Sequence, residues 1–144
     1  MKTTLTRINK AFHYEAISQE KIVVNIDANE AIGGEGKGVR PMELVLMGLG
    51  GCASIDLGLI LKKQRQELLD YQVEINASRN EDDAKAFKSI QLHFILTGNL
   101  NADKVEKAIE LTLNKYCSVA LSLSKDIDIS KDIDITRTNV YIFT

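Results

Sequence analysis

Pro41–Glu67 reads PMELVLMGLGGCASIDLGLILKKQRQE, and this stretch decides the fold. Pro41 suits the first turn of a helix, where a missing N–H costs nothing. The helix that it opens is apolar on almost every face and would run roughly 40 Å at 1.5 Å per residue. A helix apolar all round must be covered on all sides, and one small domain can hardly wrap such a rod alone. A partner subunit is the natural cover. Gly48, Gly50, Gly51, Ala53 and Gly58 let a second helix approach closely. They also weaken the helix, by up to about 1 kcal/mol each relative to alanine, and predict a kink near Gly50-Gly51. Leu44–Leu61 is also long enough to cross a bilayer. Asp56 stands in its middle, however, and a charge there costs at least about 2.5 kcal/mol in lipid. A buried helix is expected, with no membrane partner.

Before this helix lie three short β-prone pieces, Thr3–Ile8, His13–Ile17 and Lys21–Asp27, and then GGEGKG (Gly33–Gly38). That loop holds a Gly-Lys pair, but Gly38 stands where a phosphate-binding loop needs Ser or Thr for magnesium. It reads as a plain connector. After the helix, Tyr71–Arg79 alternates, with Tyr71, Val73, Ile75 and Ala77 on one face. Lys88–Thr97 alternates likewise, with Ile90, Leu92, Phe94 and Leu96 inward. Two such strands with a short polar link predict an antiparallel hairpin. Asn101 caps a second helix through Leu121, with Asp103 in its first turn favoured by the helix dipole. Val105, Ile109, Leu113, Tyr116, Cys117 and Ala120 line its inner face. DIDISKDIDI (Asp126–Ile135) reads as a strand with its aspartates in water, and Asn139–Phe143 as a last strand. The order βββ–α–ββ–α–β is that of an α+β protein, expected here as a single domain over residues 1–144.

With 144 residues and a net charge of −2, the chain has no basic stripe to replace counterions on phosphates, so nucleic acid is not an expected partner. The N-terminus has no apolar signal core, and a cytoplasmic location is expected. His13 and His93 have no cysteine or carboxylate at ligand spacing, so neither a metal site nor a cofactor is expected. The chemistry therefore falls to two cysteines, Cys52 and Cys117. In a reducing compartment such a pair is either inert packing or transient redox chemistry. Cysteine is among the most buried residue types. A nucleophilic thiol needs a helix N-terminus or a cation beside it. Cys52 lies eleven residues beyond Pro41, so the dipole reaches it only if the helix restarts at Gly50-Gly51. Asp56, one turn on, raises the thiol pKa if it faces the same side.

GVRPMELVLMGLGGC (Gly38–Cys52), followed by KYCSVALSL (Lys115–Leu123), resembles the OsmC/Ohr family, most closely its YhfA-like branch. That family carries a Pro-x-x-Leu helix start about eleven residues before its first cysteine, and a second cysteine in a late helix. The resemblance covers essentially the whole chain. It implies an OsmC-like α+β fold with a long buried central helix, forming an intertwined homodimer with active sites at the subunit interface. It also implies thiol peroxidation. Cys52 would reduce an organic hydroperoxide and become a sulfenic acid, Cys117 would resolve it to a disulfide, and an external dithiol would reduce that. Tyr116 and Leu113 would line the pocket. In strongly active members a glutamate directly follows the proline and pairs with an arginine from an early hairpin. Here Met42 follows Pro41, Glu43 comes one residue later, and Ala11–Gln19 contains no arginine. Arg40, with Glu43, is the available substitute for that activating pair, and Arg7 a more distant cation. The alternative is a catalytically weak OsmC-like dimer that binds a small apolar molecule or reports redox state.

Overall fold

A computed structural model describes residues 1–138; the strand expected at Asn139–Phe143 lies outside them. The chain forms strands β1 (Thr4–Arg7), β2 (Tyr14–Ile17) and β3 (Val23–Ile26), then helix α1 (Pro41–Lys63). Strands β4 (Glu67–Arg79) and β5 (Phe87–Asn99), helices α2 (Ala102–Leu111) and α3 (Ser118–Ser122), and strand β6 (Asp128–Thr136) follow. The α+β order is as expected. Two compact units divide at Met47/Gly48, within α1.

In the first unit β1, β2 and β3 form an antiparallel meander. The connector after β3 closes around a carboxylate of its own. Asp27 is 1% exposed and accepts hydrogen bonds from the backbone N–H groups of Ala28 (2.8 Å), Glu35 (3.0 Å) and Lys37 (3.1 Å). The loop amides that an external anion would need are thus spent on Asp27. Two glycines permit the wrap: Gly33 has φ +100°, and a Cβ on Gly34 would lie 1.9 Å from the Ala28 carbonyl oxygen.

In the second unit β4 and β5 pair antiparallel, the hairpin expected from their alternation, and β6 adds parallel to β5. Strands running parallel need a crossover, which here is the α2–α3 segment. One sheet face carries Ile90, Leu92, Phe94 and Leu96, all fully buried. Leu49, Ala53, Leu57 and Leu61 of α1 are fully buried as well. Gly50 belongs to the same face, since a Cβ there would lie 2.5 Å from Ile75 Cδ1. On β6 the residues alternate, with the aspartates outward as expected; Asp134 Oδ2 meets His93 Nε2 at 2.8 Å.

Three expectations change. Helix α1 ends at Lys63 rather than Glu67, because Arg65 turns into the left-handed region (φ 55°) and β4 begins at once. It runs without a break through Gly50-Gly51, so the helix does not restart before Cys52. The second helix is not continuous to Leu121: Thr112–Tyr116 is a π-helical turn, Cys117 is extended (φ −66°, ψ 100°), and α3 starts afresh at Ser118.

The Asp27 carboxyl is held below the ordinary aspartate value of 3.8, chiefly by the Lys37 amide. Its stabilisation is complete above that value and is lost as the pH falls through the lower folded-state value. Asp27→Asn is expected to lower Tm at neutral pH and to flatten the acid limb of a Tm-versus-pH series, measured by differential scanning fluorimetry.

Candidate functional site

The π-helical turn is the local event that builds the site. The inner face expected of a regular helix runs Val105, Ile109, Leu113, Tyr116, Cys117 and Ala120. Here the Cys117 N–H donates to the Thr112 carbonyl at 2.7 Å, a five-residue closure that inserts an extra residue into the turn. The face slips by one: Thr112 and Cys117 are fully buried, while Tyr116 is 50% exposed. Leu113 is only partly buried.

Cys117 then serves as the N-cap of α3, its Sγ accepting the Ala120 N–H at 3.4 Å. Cysteine is not a usual cap, which is why the residue types gave no signal of a helix start here. The new start turns backbone N–H groups toward Cys52. Cys52 Sγ lies 3.7 Å from the Ser118 hydroxyl and 3.9 Å from Asp56 Oδ2. Cys52 Sγ, Cys117 Sγ and an Asp56 oxygen all lie within 4.8 Å of one another. The structure therefore brings the two cysteines together, and it turns Asp56 to the thiol side of α1.

The two thiols differ in character. Cys52 is held below the ordinary thiol value, first by the Val119 backbone N–H, against a contrary push from burial. The Cys117 thiol and the Ser118 hydroxyl and N–H add to that stabilisation. Cys117 is pushed up to about 11, mainly by burial. At Cys52 the donors from α3 outweigh the push from burial.

The remaining residues singled out in the sequence sit elsewhere. Glu43 Oε2 accepts the Arg40 backbone N–H at 2.9 Å, closing the N-terminus of α1 as a capping box does. The Arg40 guanidinium forms no ion pair among the described residues. The Arg7 side chain donates to the Lys10 carbonyl in the turn after β1. Beside Asp56 a cleft of about 280 Å³ is lined by Asp56, Leu59, Ile60, Lys63, Leu111 and Tyr116, with Gln64. Tyr116 and Leu111 line this cleft, which includes neither cysteine, and Leu113 is not among its walls.

This is a two-thiol α+β protein whose cysteines meet where a long central helix passes the start of a short one. The family model for OsmC-like proteins matches residues 34–131, more than half of the chain, and the chain belongs to that family. Protein YhfA of Escherichia coli (strain K12) is 46% identical over 94 residues, covering 65% of this chain and 70% of that protein. A solved structure of a hypothetical protein from Aquifex aeolicus superposes with a TM-score of 0.78 at 27% identity, over 94% of this chain and 96% of the other. The organic hydroperoxide resistance protein OsmC from Legionella pneumophila shares the fold (TM-score 0.71, 20% identity, 93% and 97% covered).

Because the α3 donors set the Cys52 thiol, Ser118→Pro removes two of them. Proline is accepted at the first position of a helix, and Cys117 already has the extended backbone that precedes proline. The variant loses the Ser118 hydroxyl and N–H while keeping the Val119 amide. The pH profile of alkylation by iodoacetamide, measured in a Cys117→Ser background, should show Cys52 titrating below the ordinary thiol range. Adding Ser118→Pro should move that midpoint upward.

Proposed function

We propose that this chain is a cytoplasmic thiol peroxidase for organic hydroperoxides, with Cys52 as the peroxidatic residue and Cys117 as the resolving one. The observation that carries this reading is the approach of two sulfurs to within 4.8 Å, one thiol held below the ordinary value and the other pushed up. The Cys52 thiolate attacks the terminal peroxide oxygen. An S–O bond forms, the O–O bond breaks, and the alkoxide leaves as the alcohol after taking a proton. Cys117 then attacks the Cys52 sulfur, its proton leaving with the hydroxyl as water, and an external dithiol returns two electrons to the disulfide. A nucleophile with a neighbouring resolving thiol is what such a cycle needs. The structurally similar Legionella pneumophila protein, an organic hydroperoxide resistance protein, supports the choice of substrate class.

On this reading the amides of Val119 and Ser118 supply the positive field that an arginine provides in strongly active members. Arg40 and Glu43 then close the start of α1. Mass spectrometry of the reduced protein after one equivalent of cumene hydroperoxide tests the cycle. A Cys52–Cys117 disulfide should form faster than with hydrogen peroxide. Cys117→Ser should consume one equivalent and stop at a Cys52 sulfenic acid, and Cys52→Ser should consume none. Peroxide consumption unchanged in Cys52→Ser would rule the assignment out.

A second reading rests on the cleft beside Asp56, whose walls of Leu59, Ile60, Leu111 and Tyr116 suit a small apolar molecule. On it the chain is a weakly catalytic binding or redox-responsive protein. Slow and equal reaction with both peroxides would favour that reading.

The quaternary proposal is a homodimer packed along α1. Ile55 is 67% and Leu59 54% exposed, while Gly51 and Gly58 have nothing within 4 Å of a Cβ position. Those are the marks of an apolar helix face that a second α1 can approach. Light scattering after gel filtration should give twice the 16.0 kDa chain mass. The double substitution Ile55→Asp with Leu59→Asp should return the chain to a monomer.

A further inference from the structure

The absence of a metal site was expected from the isolation of the two histidines, but the donors that converge in the folded chain are of another kind. Cys52 and Asp56 stand one helical turn apart on α1, their Sγ and Oδ2 atoms 3.9 Å apart. Cys117 comes in from the cap of α3. All three donor atoms lie within 4.8 Å of one another. A tetrahedral zinc with Zn–S near 2.3 Å and Zn–O near 2.0 Å separates its donors by about 3.5–3.8 Å. Closing from the observed geometry therefore asks for side-chain shifts of about 1 Å or less, on two helices whose backbones already present the groups. We propose that Cys52, Cys117 and Asp56 form a binding site for a thiophilic divalent cation of the Zn²⁺ type, three protein ligands with the fourth position open to water.

Two further observations point to a ligand site. Both sulfurs are served by donors suited to metal-bound thiolates: the Ala120 N–H reaches Cys117 Sγ, and the Ser118 hydroxyl and the Val119 N–H face Cys52. Such outer-sphere bonds hold thiolate ligands in place and spread their charge. The donor set is also chemically selective. Two thiolates and one carboxylate favour zinc-like cations over magnesium or calcium, which take all-oxygen shells. With two thiolates and one carboxylate the bound cation leaves a net charge of −1. Binding releases the Cys117 proton, together with any proton still on Cys52, so affinity rises with pH. The cation and the peroxide compete for the same sulfur lone pairs. A bound metal would silence the thiol pair, and oxidation to the disulfide would remove two of its three ligands.

The inference uses the same thiol pair as the peroxidase reading but not the peroxide chemistry, and it is tested without any turnover. The reduced full-length chain is titrated with Co²⁺ in the absence of oxygen, and the near-ultraviolet thiolate-to-cobalt charge-transfer band is followed, with Zn²⁺ as competitor. The expected result is a band that saturates at one equivalent per chain and is displaced by Zn²⁺. Cys117→Ser should abolish it, and Asp56→Asn should weaken binding tenfold or more. Lack of a charge-transfer band in the reduced wild-type chain overturns the site. So does undiminished affinity in an Asp56→Asn variant with unchanged circular dichroism. Peroxide consumption by the metal-free chain is measured in parallel. A chain that consumes peroxide but shows no cobalt band rejects the metal site alone, whereas a cobalt band without peroxide consumption rejects the enzyme reading alone.

Discussion

The hydrogen bond from the Cys117 N–H to the Thr112 carbonyl is the constraint on which the site depends. A five-residue closure has poorer packing along its axis than the regular helix, and here it ends the helix. What the chain gains is a change of phase and a second helix start. The change of phase keeps Cys117 in the core and leaves Tyr116 at the wall of a cleft. The second start at Ser118 turns backbone donors toward a sulfur on α1 that lies beyond the reach of its own helix dipole. An uninterrupted helix from Asn101 to Leu121 would have kept the inner face of regular periodicity and provided no new N-terminus at all.

Much of the fold could be read from hydrophobic period. The alternation of Tyr71–Arg79 and Lys88–Thr97 gave the hairpin and its buried side, because a strand has one choice of face. The uniform apolarity of Leu44–Leu61 gave the long helix. What escaped was set by backbone geometry with no residue-type signature. The π-helical turn is written in Thr-Leu-Asn-Lys-Tyr, none of which is a helix breaker, and a cysteine cap looks like any core cysteine. The wrap of Glu35 and Lys37 around Asp27 escaped for a similar reason, since amides as donors have no letter in the sequence. Of the site, the two cysteines were legible through the family resemblance and Asp56 through helical spacing. The contributions of Ser118 and Val119 were not, since they come from the start of a helix that was hidden.

Cys52 and Cys117 illustrate how burial and donors divide labour between chemically identical groups. Both are taken partly out of water, which alone raises a thiol pKa. At Cys52 several donors converge and reverse the sign; at Cys117 the Ala120 N–H moderates the rise without cancelling it. The asymmetry follows from their places on the two helices. A group in front of a helix N-terminus receives free N–H groups from outside, while the capping residue itself receives one across a turn.

The parallel pairing of β5 with β6 has a consequence for when this site exists. Ser89 pairs with Asp128, so the whole α2–α3 segment must be threaded and docked before the register closes. Contacts between residues so far apart in sequence form late, since the entropy of closing the loop must be met first. Cys117 lies inside that segment, and Cys52 lies on the far side of the hairpin. A nascent or partly unfolded chain therefore carries two ordinary, separated thiols. The pairing of the two thiols thus depends on a docked crossover.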